Sequence, residues 1–379
     1  MQQLDGLVKR NGTIVVKVGT NLLTDKRSGI RRKRIIDLAR DVAFLRSLGH
    51  DVAIVSSGAI GAGVAALHLA GRPRTIPEKQ ATAAVGQPVL MEAYQSAFRK
   101  VGLQVAQVLL TGDDFTERRR YTNARNTLRA LFAQRVVPVI NENDTIAVEE
   151  IKLGDNDNLS ALVASLLGSD LLVILSDVDG LYTDDPSKNS GATRIPVVHA
   201  ITPEIEKLAR KSGSDLGTGG MITKLQAARR CAAAGVAMVI ASGEDPAVLK
   251  TILTRTIDGT LFLPGGKRLS GRKKWIGYVA RPRGTITVDD GARTALTVRH
   301  TSLLPSGIVA VAGDFRAQDT ISVTDREGNE IARGVCNYSS GDLERIKGKN
   351  SSEVPKILGR SSGDEVIHKD NLVLTGGKD

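Results

Sequence analysis

Residues 136–170 read VVPVINENDTIAVEEIKLGDNDNLSALVASLLGSD, and this stretch decides the fold. Val136 to Ile140 is an apolar run of the kind that forms a short buried strand, while Leu159, Leu162, Val163, Leu166 and Leu167 fall at helical spacing. Asn141, Glu142, Asn143 and Asp144 follow the strand directly. Asp155, Asn156, Asp157 and Asn158 stand where the helix begins, where Asp or Asn ordinarily caps free backbone N–H groups. One cap is ordinary. Eight Asn, Asp and Glu side chains at two junctions exceed what capping needs and mark a polar small-molecule site.

The same grammar extends outward. Thr13 to Val18, TIVVKV, is a β-branched run ended by Gly19 and reads as a buried strand interrupted by Lys17. A lysine inside a central strand is costly unless its ammonium emerges at the strand's end beside an anion; the other reading is an edge strand from which it snorkels to water. Ile35, Leu38, Val42 and Leu45 space a helix, Asp51 to Val55 is a second strand, and SSGAIGAG at 56–63 places three glycines and two serines between that strand and a helix. Such a turn offers backbone N–H groups to an anion, although glycines there also serve close packing. Residues 78–101 and 122–134 read as helices around a strand at Leu103 to Leu110, with Glu117 to Arg120 a solvated charged face. Leu171 to Leu175 is a further strand, followed by SDVDGLYTDDP. GTGGMITK at 217–224 opens a helix from Leu225 to Ala234, and Val236 to Ala241 is a strand after which Asp245 and Pro246 begin another helix.

Lys17, Ser57, Asn141 to Asp144 and Ser176 to Asp177 all fall at carboxyl ends of predicted strands. In an open α/β sheet that edge forms one ligand crevice. The fold class is therefore α/β, an open mostly parallel sheet sandwiched by helices. Three glycines in GTGGMITK let the backbone approach a polyphosphate, and Lys224 adds a positive charge at the helix start. The Walker pattern G-x4-G-K-[ST] and the dinucleotide pattern GxGxxG are both absent.

At 379 residues, 41% hydrophobic and 25% charged, the chain has room for two domains and a sizeable core. No apolar segment spans a bilayer and MQQLDGLVKRNG lacks a signal-peptide core, so a cytoplasmic location with no membrane is expected. Cys231 and Cys336 stand apart and the five histidines are scattered, which supports neither a disulfide nor a zinc site. The net charge of +11 is shared, +6 over residues 1–266 and +5 beyond, so no nucleic-acid tail is singled out. Near Leu263 to Lys274 the composition turns to PGGKRLSGRKK, a basic linker. Beyond it come short runs at Thr285 to Val288, Ala295 to Val298, Ile308 to Ala312, Thr320 to Val323 and Ile331 to Tyr338, a mostly β pattern, with a short helix over Arg345 to Leu358.

Five blocks in order carry a resemblance: VVKVGTNLL at 15–23, IVSSGAIGAG at 54–63, VINENDTIAVEEIKLGDNDNLSAL at 139–162, LSDVDGLYTDDP at 175–186 and DLGTGGMITKLQAA at 215–228. Together they resemble the glutamate 5-kinases of the amino-acid kinase family. From Gly284 to about Arg360 the chain resembles a PUA domain, a small β barrel. The implied domains are an amino-acid kinase catalytic domain over 1–265, a linker over 266–283, a PUA-like domain over 284–365 and a tail over 366–379.

The resemblance implies ATP-dependent phosphorylation of the side-chain carboxylate of L-glutamate, the first step of proline biosynthesis, with proline as inhibitor. It implies Lys17, Lys224 and Asp157 as the catalytic set, Asp157 orienting the lysines. ATP would be bound by Lys17, Ser176, Asp177, Thr218, Gly219, Gly220, Met221, Ile222, Thr223 and Lys224. Ser57, Asp144 and Asn156 would hold glutamate, with no metal bound by the protein itself and Mg²⁺ arriving with ATP. A homo-oligomer, RNA contact at the PUA-like domain and partnership with the next enzyme of proline synthesis belong to the same set of expectations. Where relatives often have Thr, this chain has Ser176, which keeps the hydroxyl.

The residue types suit that chemistry. A carboxylate acceptor is already ionised and needs no general base; the difficulty is bringing it to an anionic phosphate, which calls for positive, preorganised partners. Asp144 suits an ammonium and the Asn156 amide a carboxylate. Asp155 and Asp157 as direct metal ligands are a weaker reading, because the EF-hand spacing fails at Leu159. Competing readings are a kinase for aspartate, carbamate or a nucleoside monophosphate, and an RNA-binding protein led by its PUA-like part. For the last, residues 267–379 offer only Trp275, Tyr278, Phe315 and Tyr338 for base stacking.

Overall fold

The computed structural model describes residues 4, 6–25, 29–147, 156–186, 188–211, 220–254, 257–265, 276, 282–359 and 365–375. The chain divides into two compact units, Met1–Arg268 and Leu269–Asp379. The first runs β1 (Thr13–Val18), α1 (Thr20–Leu23), a short antiparallel pair β2 (Thr24–Asp25) and β3 (Gly29–Ile30), α2 (Arg32–Ser47), β4 (Asp51–Val55), α3 (Ala59–Ala66) and α4 (Ile76–Arg99). It continues through β5 (Val105–Leu110), α5 (Gly112–Thr116), α6 (Arg118–Ala133), β6 (Val137–Glu142), α7 (Asn156–Leu167), β7 (Leu171–Ser176) and β8 (Val197–Val198). It closes with α8 (Pro203–Lys211), α9 (Met221–Ala233), β9 (Ala237–Ser242), α10 (Val248–Thr254) and β10 (Gly259–Phe262).

Eight strands form one sheet in the order β5-β6-β4-β1-β7-β9-β10-β8, parallel throughout except where β10 runs against β9. β1 lies inside, bonded to β4 on one side and β7 on the other, which removes the edge-strand reading of Lys17. Side chains alternate between faces along a strand. Ile14, Val16 and Val18 pack with α2, α4 and α10 residues in one hydrophobic core, so Lys17 faces the other layer, where α7 meets α9. Helix α7 is buried along its whole course from Asp157 to Leu167, as a helix apolar on all sides requires. Pro138, which has no N–H to give, precedes the start of the β4–β6 ladder at Val139.

In the second unit β11 (Thr285–Val288), β12 (Ile308–Ala312), β13 (Thr320–Thr324), β14 (Glu330–Val335) and β15 (Leu372–Leu374) form a sheet in the order β12-β11-β13-β14-β15. Its core joins Ile286, Val288, Ile321, Val323, Tyr338 and Ile367. Three expectations are corrected here. Ala295 to Val298 is not a strand: Asp290–Thr297 is helical, and the Asp289 carboxylate caps it by accepting the Ala292 N–H at 2.7 Å. The helix expected over Arg345 to Leu358 is broken into Ser340–Ile346 and Val354–Leu358, with Gly348 at φ 71° between them and Asn350 capping the turn at Ser351–Glu353. Leu372–Leu374, assigned above to a tail, pairs with β14. Glu117 and Arg118 to Arg120 start α6 with exposed arginines, Arg120 pairing with Glu117 at 2.9 Å.

Asp41 of α2 accepts the Leu249 N–H at 2.9 Å beside a small cavity it lines with Arg34, Leu38 and Val248. Burial pushes its carboxyl up to about 6. A folded-state pKa raised above the unfolded value means that stability falls as pH rises through the window from about 4 to about 6. Asp41→Asn keeps an acceptor for Leu249 without the charge. Its melting temperature is expected to exceed the parent's at pH 8 and to lose that advantage at pH 4; thermal melts across that range check this.

Candidate active site

Lys17 enters the site from the second-last position of β1, and Lys224 from the first turn of α9. Both meet the carboxylate of Asp157 in the first turn of α7. Lys17 Nζ lies 2.5 Å from Asp157 Oδ1 and Lys224 Nζ 3.1 Å from Oδ2. The Thr223 hydroxyl is 3.0 Å from the same Oδ2 and 2.8 Å from the Gly220 carbonyl. All three charged residues are buried, Asp157 fully. Burial alone would raise the Asp157 pKa; the two ammonium groups outweigh it and hold the carboxyl below the usual carboxylate range. Taken together, two ammoniums and one carboxylate leave the triad with one net positive charge at the carboxyl edge of a sheet.

One residue earlier, Asn156 belongs to a second cluster. Its Nδ2 reaches the Ser56 carbonyl at 2.5 Å, Ser57 Oγ at 2.9 Å and Asn141 Oδ1 at 3.0 Å. An amino group has two hydrogens, so these three protein acceptors fully occupy it. The expectation that the Asn156 amide would donate to a carboxylate is therefore corrected: the end left for a ligand is its carbonyl oxygen. Ser57 accepts from Asn156 and retains its own hydroxyl proton to donate. Ser56 Oγ donates to the Ser57 carbonyl at 3.2 Å, leaving the Tyr94 hydroxyl, 3.0 Å away, as donor to Ser56. Burial raises the Tyr94 pKa, which keeps that proton in place.

The turn between β4 and α3 is set by backbone geometry. Gly58 has φ 93°, a conformation that side chains disfavour, and leads into an eight-residue helix whose first N–H groups are unspent. Gly63 has a different role, because a Cβ there would sit 1.9 Å from the Thr82 carbonyl of α4. Close packing thus explains part of the glycine run. Asp144 lies half-buried in the turn that leaves β6, three residues beyond Asn141.

Ser176 ends β7, and its hydroxyl donates to Asp177 Oδ1 at 3.0 Å. Asn21, which the sequence did not single out, donates to Asp177 Oδ2 at 3.0 Å. Despite partial burial, which opposes it, these bonds hold the Asp177 pKa below the usual range. Gly220, Met221, Ile222, Thr223 and Lys224 form the start of α9, with Gly220 at the N-cap making no side-chain cap bond. Thr218, Gly219 and Asp155 lie outside the described residues. Both Asp157 oxygens carry the protein's own cations, which removes that carboxylate as a metal ligand. Gln87 was also missed, although a polar residue on the stripe Ala83, Gln87, Leu90, Tyr94, Ala97 was a readable anomaly.

Asp157→Asn keeps the shape but leaves two neighbouring ammoniums without their counter-charge. It is expected to cost about 3–5 kcal/mol of stability at pH 7. Because the folded pKa is depressed, the difference from the parent should hold down to about pH 5 and narrow only as pH falls below about 4. Urea unfolding of parent and variant at both ends of that range measures it.

Comparison with known proteins agrees with this geometry. Residues 12–242 match the model of the amino acid kinase family, and residues 284–358 that of the PUA domain. A glutamate 5-kinase of Citrifermentans bemidjiense is 50% identical over 368 residues, covering 97% of this chain and 99% of its own. Those of Geobacter sulfurreducens and Thermoanaerobacter pseudethanolicus are each 48% identical, over 97% and 95% of this chain and 99% and 97% of theirs. With two buried lysines on one carboxylate and a family match that runs from residue 12 to residue 242, this chain is a phosphotransferase and belongs to the amino acid kinase family, with the glutamate 5-kinases among its relatives.

Proposed function

We propose that the protein transfers the γ-phosphoryl group of ATP to the side-chain carboxylate of L-glutamate, giving γ-glutamyl phosphate and ADP. The observation that carries this reading is the placement of Asn156 and Asp157. Consecutive residues at one helix start turn to two clusters, one fit for an amino acid and one for a phosphoryl group. The relatives' names supply the acceptor.

In this reading a carboxylate oxygen attacks the γ-phosphorus, the bond from that phosphorus to the β–γ bridging oxygen breaks, and ADP leaves with the electron pair. No proton moves, so no general base is required. What the reaction needs is neutralisation of charge spread over the transferring oxygens. Lys17 and Lys224 supply it, held by Asp157 so that neither reorganises during transfer. The start of α9 from Gly220, with Thr218 and Gly219, holds the phosphates, while Ser176 and Asp177 lie by the nucleotide. Mg²⁺ would come with ATP and add charge neutralisation on the phosphates.

The acceptor's α-carboxylate meets the Ser57 hydroxyl and the N–H groups opening α3. Its ammonium meets Asp144 and the Asn156 carbonyl oxygen. To the same reading belong proline as an end-product inhibitor, a homo-oligomer in the cytoplasm, RNA contact at the PUA-like unit, and handover of the labile acyl phosphate to the next enzyme of proline synthesis. The resemblance carries all of these but the location, which rests on the lack of a bilayer-spanning apolar segment and of a signal-peptide core in the sequence.

The test is a panel of acceptors, L-glutamate, L-aspartate, carbamate and a nucleoside monophosphate, read by ADP release and by trapping acyl phosphate with hydroxylamine. L-Glutamate is expected to give the highest kcat/KM; a higher value for another acceptor overturns the assignment. Asp144→Ala is expected to raise KM for glutamate by at least about tenfold, the loss of one charged contact, and to leave KM for ATP unchanged. A change confined to KM for ATP would reverse the two pockets.

A further inference from the structure

Helix α4 carries a polar side chain that the reaction does not use. Gln87 is 8% exposed and lies among Ala83, Leu90 and Tyr94 on the buried face of the helix. Its Oε1 accepts the Asn141 Nδ2 hydrogen at 2.9 Å. Its own Nε2 is buried and finds no acceptor among the described residues, a cost that an apolar residue would not carry.

The polarity of this contact is fixed by a group that can only donate. The Glu142 backbone N–H points at Asn141 Oδ1 at 3.0 Å, so the oxygen end of that carboxamide faces Glu142 and the amino end must face Gln87. The same Oδ1 then receives Asn156 Nδ2 at 3.0 Å. If the Asn141 carboxamide turned over, its amino group would confront that of Asn156, which would lose one of its three acceptors and be pushed from its place against Ser56 and Ser57. An acceptor at position 87 prevents this by giving the Asn141 amino group a partner where it stands.

We propose that Gln87 is a positioning residue for the acceptor pocket: through Asn141 it holds the Asn156 amino group inward, so that the Asn156 carbonyl oxygen is presented to the acceptor's ammonium. The inference rests on the reading of Asn156 as an acceptor-binding group. It makes the pocket selective for acceptors that bear a hydrogen-bond donor there, and it predicts that glutarate, which lacks the ammonium, is blind to position 87.

Steady-state kinetics of the full chain test it with Gln87→Met, Asn141→Ala and the double variant. Gln87→Met is expected to raise KM for L-glutamate about tenfold, with kcat and KM for ATP within about a factor of two and KM for glutarate unmoved. In the Asn141→Ala background the Gln87→Met effect should vanish, because contacts in one network do not add. An unchanged KM for glutamate, a parallel rise in KM for ATP or for glutarate, or full additivity with Asn141→Ala overturns the proposal. Gln87→Glu, which keeps an acceptor for Asn141, serves where Gln87→Met does not fold: KM for glutamate within about threefold of the parent is expected, and a tenfold rise overturns it. If the parent protein itself forms no hydroxamate from glutamate, the functional reading has failed; if the parent is active and only these variants disagree, Gln87 alone has.

Discussion

Two ammonium groups held on the two oxygens of one buried carboxylate are the interaction on which the rest of the structure depends. Burying a lysine is expensive, and burying two side by side is more so; Asp157 offsets part of that cost and leaves one positive charge uncompensated within the triad. In the proposed reaction the phosphoryl group in flight is the anion that these ammoniums meet. The arrangement is rigid because its members come from regular elements, β1, α7 and α9.

Much of the architecture can be read as serving that placement. β1 occupies an interior position, so Lys17 has neighbours on both sides and one direction in which to point. Helix α7 is buried along its length, which fixes the orientation of its first turn and with it both Asn156 and Asp157. Helix α4 comes close enough to α3 to exclude a side chain at Gly63, and from that closeness Gln87 and Tyr94 reach the ends of β6 and β4. The site is thus supported from both faces of the sheet.

The sheet was legible because its strands are β-branched runs whose carboxyl ends collect polar residues, and the candidate site residues were picked out the same way: Lys17 stands next to last in its run, and Ser57, Asn141 to Asp144 and Ser176 come just after theirs. What escaped were features set by partners distant in the chain. The Asn156 carboxamide could face a ligand by either end, and the choice belongs to Ser56, Ser57 and Asn141. Asn21 reaches Asp177 across 156 positions. Elsewhere the error was local. Ala295 to Val298 was read as one of a series of short alternating runs, and the Asp289 cap that starts a helix there was passed over. Gly348, in a left-handed turn, broke a helix that periodicity alone would have continued.

The most direct measurement is the single-turnover rate of phosphoryl transfer at saturating ATP and glutamate in Lys17→Met and Lys224→Met, with melting temperature as a control on folding. If the lysine pair neutralises the migrating group, each variant that remains folded should lose about 10²–10³ in rate, the scale of one missing preorganised donor. A rate within about twofold of the parent in either variant would contradict the account.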